Sequence, residues 1–184
     1  MPIADHKADC LRSLVERALR DHESALVHYT CGLLNGDWDR ARDVVQDAFL
    51  KLCRQDPGAL EQNAKAWLYT VCRNRAFDLL RRDTRWKADA SGLDDLPQQT
   101  PDPSECAGIR DAGREVLDCL TTLPLNQQDV VRLRFQQNLS YKEISEITGA
   151  SSGQVGFLLH DALRRLRALL ESRRRKEANE GGGE

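Results

Sequence analysis

Apolar residues along this chain recur with the period of a helix, and no stretch shows the alternation of a half-buried strand. Val155, Leu159, Ala162, Leu166 and Leu169 share one stripe of a helix expected from Gly153 to Arg173. Ala41, Val44, Val45, Ala48, Phe49, Leu52 and Cys53 mark the inner face of another, starting near Asp39 and closed by Asp56-Pro57-Gly58. Its outer face carries Asp43, Gln46, Asp47, Leu50 and Arg54. A third helix is expected from Ala64 to Arg82, with Leu68, Val71, Cys72, Ala76, Leu79 and Leu80 inward. Before these, a first helix runs from Leu11 or Arg12 to Leu34, with a candidate break near Asp21, and ends in the turn Asn35-Gly36. Helical pattern returns near Arg110, where Leu117, Leu120 and Leu123 precede Pro124. Leu125 to Gln136 then makes a helix whose apolar set is Val130, Val131, Leu133 and Phe135. The expected fold is all-α, without internal repeats.

The stretch from Ser140 to Val155 is the most sharply punctuated. Ser140 is a good N-cap, and Glu143 three residues on completes a capping box. Ile144 and Ile147 share a face, and Gly149 stands where a helix end favours a left-handed residue. Ser151 or Ser152 caps the next helix. Two helices joined by such a turn let the second enter the major groove of DNA, although an ordinary helical hairpin has the same pattern. The second helix turns Phe157, His160, Asp161 and Arg164 away from its buried stripe. Residues 161–176 hold seven basic and two acidic side chains, a footprint suited to a phosphate backbone.

Charge elsewhere is segregated, so the net value of −2 hides opposed blocks. Residues 61–88 carry seven basic and three acidic side chains, whereas residues 89–119 carry two basic and eight acidic ones. The acidic block includes Pro97, Pro101 and Pro103 and reads as a flexible linker between two small helical domains. The boundaries expected are 1–87, a linker at 88–109, a second domain at 110–176, and a disordered tail at 177–184. No apolar run reaches the roughly twenty residues of a membrane span, and the N-terminus has no signal-peptide core. A cytoplasmic protein without membrane insertion is expected. The six cysteines form no Cys-x-x-Cys pair and are expected to be buried small hydrophobes. His28 and Cys31 share a face, but no second pair accompanies them, so neither a metal nor another cofactor is expected.

Three segments together resemble one family, the bacterial RNA polymerase sigma factors of the sigma-70 class, in their short extracytoplasmic-function group. They are Ala41-Arg-Asp-Val-Val-Gln-Asp-Ala-Phe-Leu-Lys-Leu52, Ala66-Trp-Leu-Tyr-Thr-Val-Cys-Arg-Asn-Arg-Ala-Phe-Asp-Leu-Leu-Arg-Arg82, and the run from Leu123-Pro-Leu125 through Val131-Arg-Leu-Arg-Phe135 and Leu139–Ile147 to Leu170. They cover about four-fifths of the chain in the family's order. That group has regions two and four joined by a linker and lacks region three, which fits the acidic stretch.

The resemblance implies a site for each segment. Asp43, Gln46, Asp47 and Leu50 would bind core RNA polymerase. Asn63 and Lys65, with Arg73, Asn74, Arg81, Arg82 and Arg85, would hold the melted minus-ten element of promoter DNA, because exposed single strands are held by basic and aromatic side chains. Trp67, Tyr69, Phe77 and Trp86 stand among them, with Trp67 and Phe77 also suited to a core. Lys142, Ser151, Ser152, Gln154, Phe157, His160, Arg164 and Arg165 would contact the minus-thirty-five duplex. The chain departs from the family pattern at Gly156 and Leu158, where Lys or Arg is common, and Gly156 costs roughly 1 kcal/mol of helix propensity relative to Ala. An anti-sigma protein or other regulator is the further partner implied.

No Walker loop, no His-Glu-x-x-His and no clustered nucleophile and base is present, so no catalysis is expected. A helix-turn-helix regulator acting on duplex DNA without joining the polymerase is the alternative. A nucleic-acid enzyme with an appended DNA-binding domain is a third reading. Neither accounts for the Asp43 to Leu52 and Trp67 to Arg82 patterns.

Overall fold

The computed structural model describes residues 3–60, 63–89 and 111–180, and these are helical throughout apart from short connections. The helices are α1 (Ile3–Leu33), α2 (Trp38–Leu52), α3 (Pro57–Leu60), α4 (Ala64–Asp89), α5 (Asp111–Thr121), α6 (Leu125–Val131), a π-helical turn (Arg132–Gln136), α7 (Tyr141–Thr148) and α8 (Ser152–Glu180). No strand occurs among the described residues. Helices α1 to α4 form one compact unit; α5, α6, α8 and the start of α7 form a second.

In the first unit α1, α2 and α4 pack on one another pairwise. The Asp37 side chain caps α2 by accepting from the Arg40 N–H at 3.0 Å. Behind that cap Ala41, Val44, Val45, Ala48, Phe49 and Leu52 are buried, as their spacing requires. Leu26, Tyr29 and Leu33 of α1 and Leu68, Tyr69, Cys72 and Ala76 of α4 complete the core. Tyr29 and Tyr69 meet edge to face, with ring centroids 5.2 Å apart, a geometry the ring quadrupoles favour. The turn between α1 and α2 needs two left-handed residues, supplied by Asn35 (φ 57°) and Gly36 (φ 92°). Arg40 reaches from α2 to Asp83 of α4 at 2.8 Å. Both partners are over one-third exposed, so this pair adds at most about 1 kcal/mol.

In the second unit α8 packs on α5 and α6. Every residue from Gln127 to Leu133 is buried, including Gln127, Gln128, Asp129 and Arg132. Gln128 donates from Nε2 to the carbonyls of Thr121 and Leu123, at 3.0 and 2.9 Å, and so closes the α5–α6 corner. The π turn follows, with the Gln137 N–H donating to the Arg132 carbonyl at 3.1 Å, and Arg134 donates to the Leu139 carbonyl at 2.8 Å.

Several expectations are corrected. Helix α1 begins at Ile3 and passes unbroken through Asp21, which is exposed and costs only propensity there. Pro57 opens the short α3 rather than only closing α2, as its fixed φ and missing N–H allow at a first helical position. Helix α4 continues past Arg82 to Asp89, and α8 continues to Glu180, so residues 177–180 are helical and not a disordered tail. Leu169 is 36% exposed and lies outside the buried stripe of α8. Phe135 is 59% exposed because the wide turn takes it off the face set by Val130, Val131 and Leu133. Of the cysteines, Cys31, Cys72 and Cys119 are buried, Cys10 is half-buried and Cys53 is exposed. The first two residues of the expected linker, 88 and 89, end helix α4, and the rest of it lies outside the described residues, as do Cys106 and the last four residues.

Candidate functional site

Three surfaces collect the residues singled out in the sequence. On α2, Asp43, Gln46, Asp47 and Leu50 all lie exposed on one strip, the side away from the buried set. Leu50 is 52% exposed, an apolar side chain on the strip after Asp43 and Asp47 that the first unit does not cover.

On α4 the candidates separate into two groups. Asn63 is exposed, and its carbonyl accepts from the Trp67 N–H at 3.0 Å as the helix begins. Lys65 is half-buried and, together with burial, holds the His22 imidazole below its ordinary pKa, burial being the larger cause. Further along, Asn74, Arg81, Arg82 and Arg85 are exposed. Arg73 is half-buried with its guanidinium 4.4 Å from the centroid of the Phe77 ring, a cation–π contact that fixes its direction. Arg81 pairs with Asp78 at 3.1 Å. Lys65 and Arg73 stand about 12 Å apart along the helix, so the two groups are not one cluster. Tyr69 is withdrawn from any strand-facing role, being 2% exposed within the core. Burial also pushes its phenol far above the ordinary value. Trp67 is half-buried, and the Trp86 side chain lies outside the described residues.

The third surface is the α7–α8 hairpin. Ser140 and Glu143 form a reciprocal capping box, with Ser140 N donating to Glu143 Oε2 at 2.8 Å. Gly149 closes α7 at φ 72°, and its N–H donates to the Ser145 carbonyl. Ser151 is the cap of α8: Gln154 N donates to its Oγ at 3.2 Å, while Ser151 N donates to Gln154 Oε1 at 2.8 Å. The second box was missed in the sequence because Gln154 was weighed only as a base reader. Behind it Val155, Leu159, Ala162 and Leu166 are buried. Lys142, Ser151, Ser152, Gln154, Phe157, His160, Arg164 and Arg165 are all exposed.

Asp161 does not belong to that open face. Its side chain is only 13% exposed, pairs with Arg164 and with Arg165, the latter at 3.0 Å, and accepts from buried Gln127 Nε2 at 2.7 Å. The hydrogen bond from Arg164, then those from Gln127 and Arg165, hold its carboxyl below the usual range. Gln127 was missed because a polar residue in a helix of mixed pattern gives no periodic signal of burial.

Among the described residues no group of three His, Cys, Asp or Glu is placed to hold a metal ion. His28 instead sits 5.0 Å from Trp38, edge to face. None of the described helices is long and apolar enough to cross a membrane.

Residues 14–86 match the family model of sigma-70 region 2, and residues 113–166 match that of sigma-70 region 4. The chain is 32% identical over 162 residues to the ECF RNA polymerase sigma factor SigL of Mycobacterium tuberculosis, covering 84% of this chain and 88% of that one. It is 32% identical over 142 residues to the RNA polymerase sigma factor YlaC of Bacillus subtilis, covering 76% and 82%. A co-crystal structure of the sigma factor RpoE with the anti-sigma factor NepR from Bartonella quintana superposes with a TM-score of 0.64 at 25% identity, over 85% of this chain and 96% of that chain. The structure of CnrH with the cytosolic domain of CnrY shares the fold, with a TM-score of 0.62 at 20% identity, over 90% and 97%. The chain belongs to the sigma-70 family, in its extracytoplasmic-function group. Its function is that of a sigma factor, which directs RNA polymerase to promoters. The family consists of non-catalytic initiation factors.

Proposed function

We propose a division of labour among the three surfaces. The α2 strip of Asp43, Gln46, Asp47 and Leu50 seats the chain on core polymerase. The exposed α4 residues Asn74, Arg81, Arg82 and Arg85, with Arg73, track the backbone of the melted minus-ten strand, and Asn63 and Lys65 at the start of α4 contact a base displaced from it. The α7–α8 hairpin docks on the minus-thirty-five duplex, with Gln154, Phe157 and His160 toward base edges and Lys142, Ser151, Ser152, Arg164 and Arg165 toward phosphates. The first domain ends with α4 at Asp89 and the second runs from about residue 110 through α8, joined by the acidic stretch between them. The chain itself carries out no chemistry; opening of the duplex follows from binding the single strand more tightly than the double one.

One observation carries this division. Each strip lies on the side of its helix away from the buried stripe, so most of these side chains stand exposed at the surface. We further propose that the protein works in the cytoplasm and is held inactive by an anti-sigma protein, as suggested by the Bartonella complex. Run-off transcription with purified core polymerase tests the whole reading: promoter-dependent transcripts are expected only when the chain is added. A chain that binds duplex DNA but neither joins core polymerase nor supports transcripts would overturn it in favour of an independent helix-turn-helix regulator.

A further inference from the structure

We propose that Phe157 reads the 5-methyl group of a thymine in the minus-thirty-five duplex, which makes the second unit thymine-selective at one base pair. This rests on the assignment of α8 to the duplex.

Phe157 is 71% exposed, more than any other large hydrophobic side chain among the described residues. The fold does not use it, since Val155, Leu159, Ala162 and Leu166 form the buried stripe on the other side of α8. Helical side chains lean toward the N-terminus, over the preceding turn. Four residues before Phe157 stands Gly153, and a Cβ built there would meet nothing within 4 Å. The ring therefore leans over the one position of that line with no side chain and is open to whatever approaches the start of α8. A Cβ built at Gly156 beside it would lie 3.6 Å from Cε2 of the Tyr141 ring, so that side of α8 faces the start of α7 and Phe157 projects from a different one.

Along the exposed line of α8, positions 153, 157, 160 and 164 follow one another at helical spacing, and Phe157 is its one apolar side chain. A phenyl ring has no donor or acceptor, so it cannot discriminate the polar edges of the major groove. The thymine methyl is the apolar element of that groove's code, and Phe is among the residues that contact it. Phosphates are excluded as the ring's target for the same reason, and they are left to Arg164 and Arg165 about two turns later.

The test uses holoenzyme assembled from the full chain and core polymerase, on promoters recovered by selection. Each minus-thirty-five thymine is replaced in turn by deoxyuridine, which removes the methyl and leaves the hydrogen-bonding edge intact. At one thymine, affinity is expected to fall about fourfold, the value of one buried methyl-sized group. Holoenzyme carrying Phe157→Ala is expected to bind the original promoter more weakly and to be indifferent to that replacement, whereas Phe157→Leu retains part of the sensitivity. A Phe157→Ala holoenzyme that keeps the full methyl sensitivity overturns the proposal. So does one with unchanged promoter affinity that instead loses capture by a protein inhibitor. If scrambling the entire minus-thirty-five element lowers affinity while no single methyl matters, this proposal alone fails. If scrambling has no effect, the assignment of α8 to the duplex fails with it.

Discussion

Gln127 and Asp161 join α6 to α8 through one short hydrogen bond, 2.7 Å from the buried amide to a carboxylate that also binds Arg164 and Arg165. The amide fixes the carboxylate, and the carboxylate fixes two guanidinium groups at the exposed end of the hairpin. Asp161→Asn is expected to release both arginines and to reduce promoter affinity uniformly across sequences, without a change in base preference. Because the Asp161 carboxyl lies below its ordinary range in the folded chain, its stabilising effect is complete above the unfolded value of about 3.9 and is lost as pH falls below it. Melting curves should show Asp161→Asn less stable than wild type at pH 7, with the gap closing toward pH 3. A gap independent of pH would refute the linkage.

The α2 strip gives a sharper separation of fold from binding. Asp43→Lys with Asp47→Lys is expected to weaken association with core polymerase on the order of tenfold or more, since mismatched charge across an interface costs several kcal/mol. Exposed positions of this kind change stability by about 0.5 kcal/mol each at most, so the melting temperature of the double variant should move by no more than about 4–8 °C. Unchanged polymerase affinity in the double variant would remove the strip from the interface.

Gln154 faces two demands, because the amide proposed to read a base edge is also the one that accepts from Ser151 N at 2.8 Å. Gln154→Ala should cost about 0.5–1 kcal/mol through the weakened cap and also alter base preference. Gln154→Glu separates the two effects. A carboxylate still accepts from Ser151 N, so the melting temperature should hold, while the loss of the amide donor shifts preference at one base pair from adenine toward cytosine. Selection from a randomised promoter library reads the shift, and identical preferences for wild type and Gln154→Glu would show that the cap is this side chain's whole role.

Thiol labelling checks the cores of both units. Cys53 is exposed at the end of α2 and should react at the rate of an open thiol. Cys31, Cys72 and Cys119 are buried and should react only through opening of the structure. Burial also pushes the Cys72 thiol up to about 12, so its contribution is complete below the ordinary thiol value and is lost as pH rises toward 12. Rapid labelling of Cys72 at pH 8 in folded protein would contradict the packing.

The elements most legible in the sequence were those with strict period and clear ends. Ser140, Glu143 and Gly149 announced α7 because each acts on its own backbone neighbours. The Val155 to Leu166 stripe was legible because one face of α8 is buried and the other open. Gln127, Gln128, Asp129 and Arg132 were not, since α6 is enclosed on all sides and an enclosed helix has no polar face for the period to reveal. Tyr69 and Phe135 were misplaced for opposite reasons. Tyr69 pairs with Tyr29 from a distant segment, and Phe135 follows a change of helical pitch that no local pattern encodes. Among the candidate site residues, the exposed positions were readable wherever they faced away from a stripe. The engagement of Arg164, Arg165 and Gln154 by their neighbours was not, because it depends on side-chain reach.

The change of pitch between Arg132 and Gln136 also makes this the place where the chain's length is negotiable. A π turn is an α-helical segment that has taken in one surplus residue, and here the surplus lies next to exposed Phe135 and Gln136 rather than inside the buried run. Removing Gln136 should let the segment relax to ordinary α pitch at little cost, whereas removing Val130 rotates every buried residue after it by about 100° out of register. Comparison of the two deletion variants by thermal melting would show whether single-residue gains and losses in this lineage have an address in the fold.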